Sequence, residues 1–129
     1  MAREPLTEGE RTVLDKCLTG EHPLLQSLRE QLDGIQVAER EYTGVGVYVR
    51  LAYTGDARPC PCPSLVIDDV LLDVEGLEHG AASAVFVTEG VLSLLEMYSY
   101  GEPWPARPVI LGMTYRGATR QLSVRKLAE

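Results

Sequence analysis

Three stretches hold the side chains whose types and spacing could do chemistry: Cys60-Pro61-Cys62, the trio His79, Ser83 and Glu96, and the segment EMYSYGEPWP over 96–105. Two thiolates so close could bind a soft metal, with Cys17, His22 or His79 completing the shell. The spacing speaks against it. A zinc knuckle places two or more residues between its cysteines, and the chain has no second cysteine pair. Pro59, Pro61 and Pro63 stiffen the stretch into an extended form. The expectation is a polyproline-like surface loop with incidental thiols, no metal and no cofactor.

A catalytic histidine needs a nucleophile or substrate within hydrogen-bond reach and a third group to orient it. Ser83 and Glu96 are the companions the sequence offers His79, because a hairpin turning at Glu89-Gly90 sets Ser83 opposite Glu96. A hydrolytic triad still does not follow. Ser83 lies within a strand and not at a sharp exposed elbow, and no glycine turn flanks it to make an oxyanion hole. His79 is separated from it by roughly 13 Å of extended chain. Gly44-Val45-Gly46 lacks the GxGxxG spacing and leads into a strand, so it is no phosphate loop. No catalytic residue is assigned.

EMYSYGEPWP remains the strongest candidate site. The whole chain carries six Tyr, one Trp and one Phe, and this segment gathers Tyr98, Tyr100 and Trp104 beside Glu96 and Glu102. Tyr and Trp combine large apolar area with a polar tip and anchor many binding surfaces. Glu96 interrupts an apolar strand face shared with Leu92, Leu94 and Tyr98. A carboxylate there either marks where that face meets water or is buried, with a raised pKa. The candidate binding residues are therefore His79, Glu96, Tyr98, Tyr100, Glu102 and Trp104. The competing structural reading makes Trp104 a lid over the sheet edge, with Pro103 and Pro105 stopping the strand.

The elements that must position these residues follow from periodicity. Thr7 and Glu10 form a capping box ahead of Val13, Leu14, Cys17 and Leu18, which share one helix face. A second helix begins at Pro23, repeats Leu24, Leu25, Leu28 and Leu32, and closes at Asp33-Gly34. The period then becomes two. Val45, Val47, Val49, Leu51 and Tyr53 line one face of a strand. Thr43-Gly44 is either a turn or a bulge; the bulge or kink is preferred, because a tight turn would set Arg40 opposite Val47 and spoil the apolar face. Residues 55–64 form a proline-rich loop, and Leu65 to Glu75 reads as one strand. The hairpin at Glu89-Gly90 follows; both of its faces are apolar, which suits a central place in a sheet covered on both sides. A last hairpin turns at Gly117-Ala118 and pairs Met113 with Leu122 and Leu111 with Val124.

The pattern predicts one α+β domain over 1–129. Its two N-terminal helices span about 7–33. A twisted, mainly antiparallel sheet of about six to seven strands spans about 35–127, open or closed into a barrel. No apolar run is long enough for a transmembrane helix. The start, MAREPLTEGERTV, carries charge where a signal peptide needs its apolar segment, and three cysteines fit a reducing compartment. The expected location is cytoplasmic. A net charge of −7 argues against nucleic acid and anionic membranes as partners and is compatible with a basic protein.

EREYTGVGVYVRL (39–51) and GLEHGAASAVFVTEGVLSLLEMYSYGEPWP (76–105) resemble a family of small bacterial proteins of uncharacterised function. That family carries a TGxGF strand and an LEGYSYGEPWP-like segment. Here Val47 stands in place of the Phe, Ala82 in place of a Gly, and Met97 in place of another Gly. The resemblance implies a domain type and no chemistry. The function expected is a non-catalytic protein-binding module of immunity or inhibitor type that holds a basic partner, with or without homo-oligomerisation. The alternative is a small-ligand protein or enzyme with a pocket around Glu96, His79 and Tyr98.

Overall fold

The computed structural model describes residues 3–55, 58–62, 64–116 and 125–126. Thr7 caps helix α1 (Glu8–Leu18) as its sequence predicts: its hydroxyl accepts from the Glu10 amide, and Glu10 reaches back to the Thr7 amide. The inward face of α1 is Val13, Leu14, Cys17 and Leu18, all fully buried. Helix α2 (Pro23–Arg29) starts with proline at its first position, where no intrahelical donor is needed. It tightens into a 3-10 turn over Glu30–Gly34, and Leu25, Leu28, Gln31 and Leu32 are buried along this stretch. No described helix is long and apolar enough to cross a membrane.

The strands are β1 (Ile35–Tyr42), β2 (Gly46–Tyr53), β3 (Leu65–Ile67), β4 (Val70–Val74), β5 (Ala81–Thr88), β6 (Val91–Ser99), β7 (Ile110–Tyr115) and β8 (Arg125–Lys126). All pair antiparallel. They run in the order β1-β2-β6-β5-β3-β8, with β4 joining β5 to β7. Among the described residues the sheet is open and does not close into a barrel. Both helices contact the same face: Cys17 meets Ser83, Lys16 accepts from the Tyr115 hydroxyl, and Gln31 bonds Tyr53 and the Gly90 carbonyl. No described element covers the other face, which corrects the expectation of a sheet covered on both sides.

Thr43-Gly44 belongs to a hairpin turn and not to a bulge. Tyr42 pairs with Val47, the Thr43 amide donates to Gly46, and Arg40 stands opposite Val49. Arg40 does occupy the helix-facing side, and the charge is tolerated because α1 brings a carboxylate to it. Arg40 Nε and Nη2 each donate to Glu10 at 2.8 Å, and Nη1 donates to Glu4 at 2.6 Å. Fork-to-fork geometry of this kind is the strongest form an ion pair takes. A bulge does exist earlier in β1, between Val37 and Glu39.

Leu65 to Glu75 is two strands, broken at Asp68-Asp69, so that β3 and β4 both border β5 while handing their other edges to β8 and β7. The Glu89-Gly90 turn is present, with Glu89 at φ 51° and Gly90 at φ 81°, the pair of positive values a type I′ turn requires. Gly90 is also pressed on the loop beneath it: a Cβ there would lie 2.3 Å from the Cys60 carbonyl oxygen. Thr88 faces Val91 as expected, but the register shifts between Phe86 and Val87. Ser93 causes no clash in this bulge because its hydroxyl donates to the Phe86 carbonyl and meets Thr88 Oγ1 at 3.0 Å. Beyond the bulge Ser83 faces Met97, and Glu96 faces Ala84. The hairpin predicted at Gly117-Ala118 lies outside the described residues; Arg125–Lys126 pair with β3.

Candidate functional site

The bulge in β6 decides which face each candidate residue occupies. Past it, Leu95, Met97 and Ser99 point into the core, whereas Leu94, Glu96 and Tyr98 stand half-buried on the helix-free face. Glu96 therefore shares its face with Leu94 and Tyr98, as expected, but not with Leu92, which the bulge leaves buried on the other side. Across the sheet Tyr48 and Ala84 flank Glu96, and Gly46 and Ala82 flank Tyr98. Gly46 has no room for a side chain: a Cβ would lie 2.3 Å from the Met97 carbonyl oxygen and 2.9 Å from Tyr98 Cα and Cβ. Small residues on both sides let the Tyr98 ring lie down beside them.

The Glu96 charge, helped by loss of water and by a hydrogen bond, holds the Tyr48 phenol above its usual pKa. Burial and then the same carboxylate do so for Tyr98. Tyr98 and Tyr100 meet edge to face with ring centres 6.3 Å apart, a favoured aromatic geometry. Tyr100 is 56% exposed. On the same face Glu39 and Glu41 stand opposite Arg50 and Tyr48, and both carboxylates lie within 4 Å of the Arg50 guanidinium. The charges of Arg116 and Asp68 also reach the Tyr98 phenol, so the result is a row of tyrosines among carboxylates with two arginines at its ends.

The remaining candidates go elsewhere. Glu102 accepts hydrogen bonds from the backbone amides of Glu78 and His79 at 2.9 and 3.0 Å. Its own carbonyl accepts from the Ser99 hydroxyl. It is a clamp holding the loop before β5 to the exit of β6, and it meets His79 through that residue's main chain. Those amides, His79 first, hold the Glu102 carboxyl below its usual pKa. Its folded pKa being the lower one, the clamp is intact above the ordinary glutamate value and is lost as pH falls through the folded value. Glu102→Ala should speed hydrogen exchange at the Glu78 and His79 amides. Acidification of the parent protein should lower the protection factors of the same two amides, taken relative to the intrinsic rate at each pH, and unchanged protection in both experiments would remove the clamp.

Trp104 turns to the opposite side. Its amide donates to the Gly44 carbonyl at 2.9 Å, tying the segment after β6 to the tip of the β1–β2 hairpin. From there residues 104–110 pass as a strap across the start of α1 toward β7. Between strap and helix lies a cavity of about 570 Å³ whose lining includes Thr7, Glu8, Glu10, Arg40, Val47, Met97, Trp104, Arg107 and Ile110. The Trp104 indole Nε1 is closed off from solvent with no acceptor among the described residues. This cavity shares only Trp104 with the candidate set.

The thiols and the serine are structural. Cys60 is 3% exposed, with its amide bound to Gly90 and its thiol near the Leu24 carbonyl, so this loop is tucked under α2 and is not merely a surface segment. Burial, then the neighbouring Cys60, push the Cys62 thiol up to about 12, so it stays protonated at neutral pH. Among the described residues no three His, Cys, Asp or Glu are grouped to hold a metal. Ser83 is fully buried and donates to the Val70 carbonyl at 2.9 Å, and Glu96 is across the sheet from it.

Three contributors escaped sequence reasoning. The second role of Glu10, as partner of Arg40, needed the fold. Gln31 follows Leu28 by three residues, on the apolar helix face, and that spacing was the available signal. Arg107 had none. No family model, curated protein or solved structure matches the chain.

Proposed function

We propose that this protein is a non-catalytic binding module that uses the helix-free face of its sheet to hold a basic segment of another protein. The observation that carries the reading is the row of Tyr48, Glu96, Tyr98 and Tyr100 on a sheet face that no described element covers. Aromatic side chains on rigid strands lose little entropy on binding and offer large contact area. The carboxylates Glu39, Glu41, Glu96 and Asp68 outnumber Arg50 and Arg116, and the chain carries −7 overall. A field of that sign draws a cationic partner and makes the encounter salt-dependent.

The test immobilises the protein and passes a bacterial lysate over it at low salt. A stoichiometric basic protein should be retained at about 50 mM NaCl and released at about 500 mM, where screening is nearly complete at contact distance. Glu96→Lys and Tyr100→Ala, both at side chains that reach solvent, should each abolish retention. Recovery of a second copy alone, matched by a dimer in sedimentation, would assign the face to self-association. Retention unchanged in both variants would remove the face from the interaction.

A further inference from the structure

The cavity beneath the strap is chemically unlike the sheet face. Its floor is apolar, with Val47 and Met97 4% and 2% exposed and Ile110 alongside. Two of its four charged side chains, Glu10 and Arg40, neutralise each other at 2.8 Å. The other two, Glu8 and Arg107, have no ion partner among the described residues. Its wall contains the one Trp of the chain, Trp104. The volume of about 570 Å³ falls in the range of small-molecule sites.

One free charge of each sign above an apolar floor selects against most simple ligands. An organic anion meets Glu8, an amine meets Arg107, and a neutral hydrocarbon uses neither. A zwitterion with an apolar side chain uses both and lays that side chain on the floor. We infer that this cavity binds zwitterionic apolar amino acids or short apolar peptides, with the ammonium at Glu8, the carboxylate at Arg107 and the side chain over Val47 and Met97. This site is separate from the sheet face, since Met97 points into the cavity while its neighbours Glu96 and Tyr98 point to the opposite side.

Trp104, being the sole tryptophan, reports binding through its own emission. Titrations with phenylalanine and with leucylphenylalanine should give a saturable change with a Kd between roughly 10 μM and 1 mM. The dipeptide acetylated and amidated at its ends should bind at least about tenfold more weakly, because both end charges are gone. Glu8→Gln and Arg107→Gln should each weaken binding roughly fivefold, with melting temperatures unchanged. Gly9→Phe projects a ring beside Ile110, where a Cβ already lies 3.6 Å from Cγ1, and should abolish binding. Glu96→Lys should leave it intact, which separates this site from the sheet face. Whichever of free amino acid and dipeptide binds tighter identifies the source. No saturable change for either at about 10 mM, equal affinity for the capped dipeptide, or indifference to both charge variants would overturn the assignment.

Discussion

Glu10→Ala should lower the stability of this protein by about 3 kcal/mol, and its melting temperature by roughly 10 °C. Glu10 is 5% exposed and holds two tasks at once. It closes the capping box of α1, a contribution of about 1 kcal/mol, and it receives Arg40 in a bidentate pair. Removing it leaves a guanidinium, only 17% exposed, with Glu4 as its one remaining carboxylate. Glu10→Gln separates the tasks, because the amide still reaches the Thr7 amide but carries no charge. Its loss should fall between those of the parent and Glu10→Ala in urea denaturation. Replacing both partners, Glu10→Leu with Arg40→Met, should recover much of the loss.

The pair also sets an acid limb. Burial alone would raise the Glu10 pKa, but the hydrogen bonds from Arg40 and Thr7 and the Arg40 charge outweigh it, so the net shift is downward. A lowered folded value means the pair contributes fully above the ordinary glutamate pKa and is lost as pH falls through the folded value. Denaturation midpoints measured from neutrality downward should show this decline in the parent protein and a flatter one in Glu10→Gln. Equal slopes would show that the pair is not the titrating element.

Gln31→Leu should cost about 2–3 kcal/mol despite its near-equal volume. Gln31 is 4% exposed and joins three distant parts of the chain. Its Nε2 donates to the Arg58 and Gly90 carbonyls, and its Oε1 accepts from the Leu92 amide and the Tyr53 hydroxyl. Tyr53 also has the Leu92 carbonyl, and Gly90 has the Cys60 amide. The groups orphaned by leucine are therefore the Leu92 N–H and the Arg58 carbonyl. Urea titration measures the loss, and faster exchange at Leu92 locates it. Gln31→Glu should be worse near neutrality, since a carboxylate faces two carbonyls, and should recover on acidification as a proton restores a donor. A leucine variant as stable as the parent would show the network to be dispensable.

How far the sequence could be read depended on the range of each interaction. The inward face of α1 and the turn at Glu89-Gly90 were legible because the residues that decide them are close neighbours. The β1–β2 turn was missed because Arg40 looked fatal to an apolar face, and the carboxylate that answers it is Glu10, on a different element. The register of β6 beyond Ser93 was missed by one residue for a related reason, which set Ser83 opposite Glu96 and put Leu92 on the face of Leu94. A bulge is invisible to alternation, and Ser93 is an ordinary strand residue until its hydroxyl is seen on Phe86. The members of the EMYSYGEPWP segment, singled out together, go to three places: Glu96, Tyr98 and Tyr100 stand on the open face, Glu102 clamps a loop, and Trp104 walls a cavity. That cavity draws on the helix start, the hairpin and the strap, which only the tertiary fold brings together.

The bulge at Ser93 acts on the molecule much as a frameshift acts on a message. Everything in β6 after it is read in the opposite phase, so one extra residue decides which side chains become interior and which become surface. A deletion at that point would change no side chain after it, yet would turn Glu96 and Tyr98 toward the helices and expose Leu95 and Met97 to water. Insertions and deletions are tolerated in many surface loops. Here one mid-strand position carries the distinction between inside and outside for half of the central hairpin.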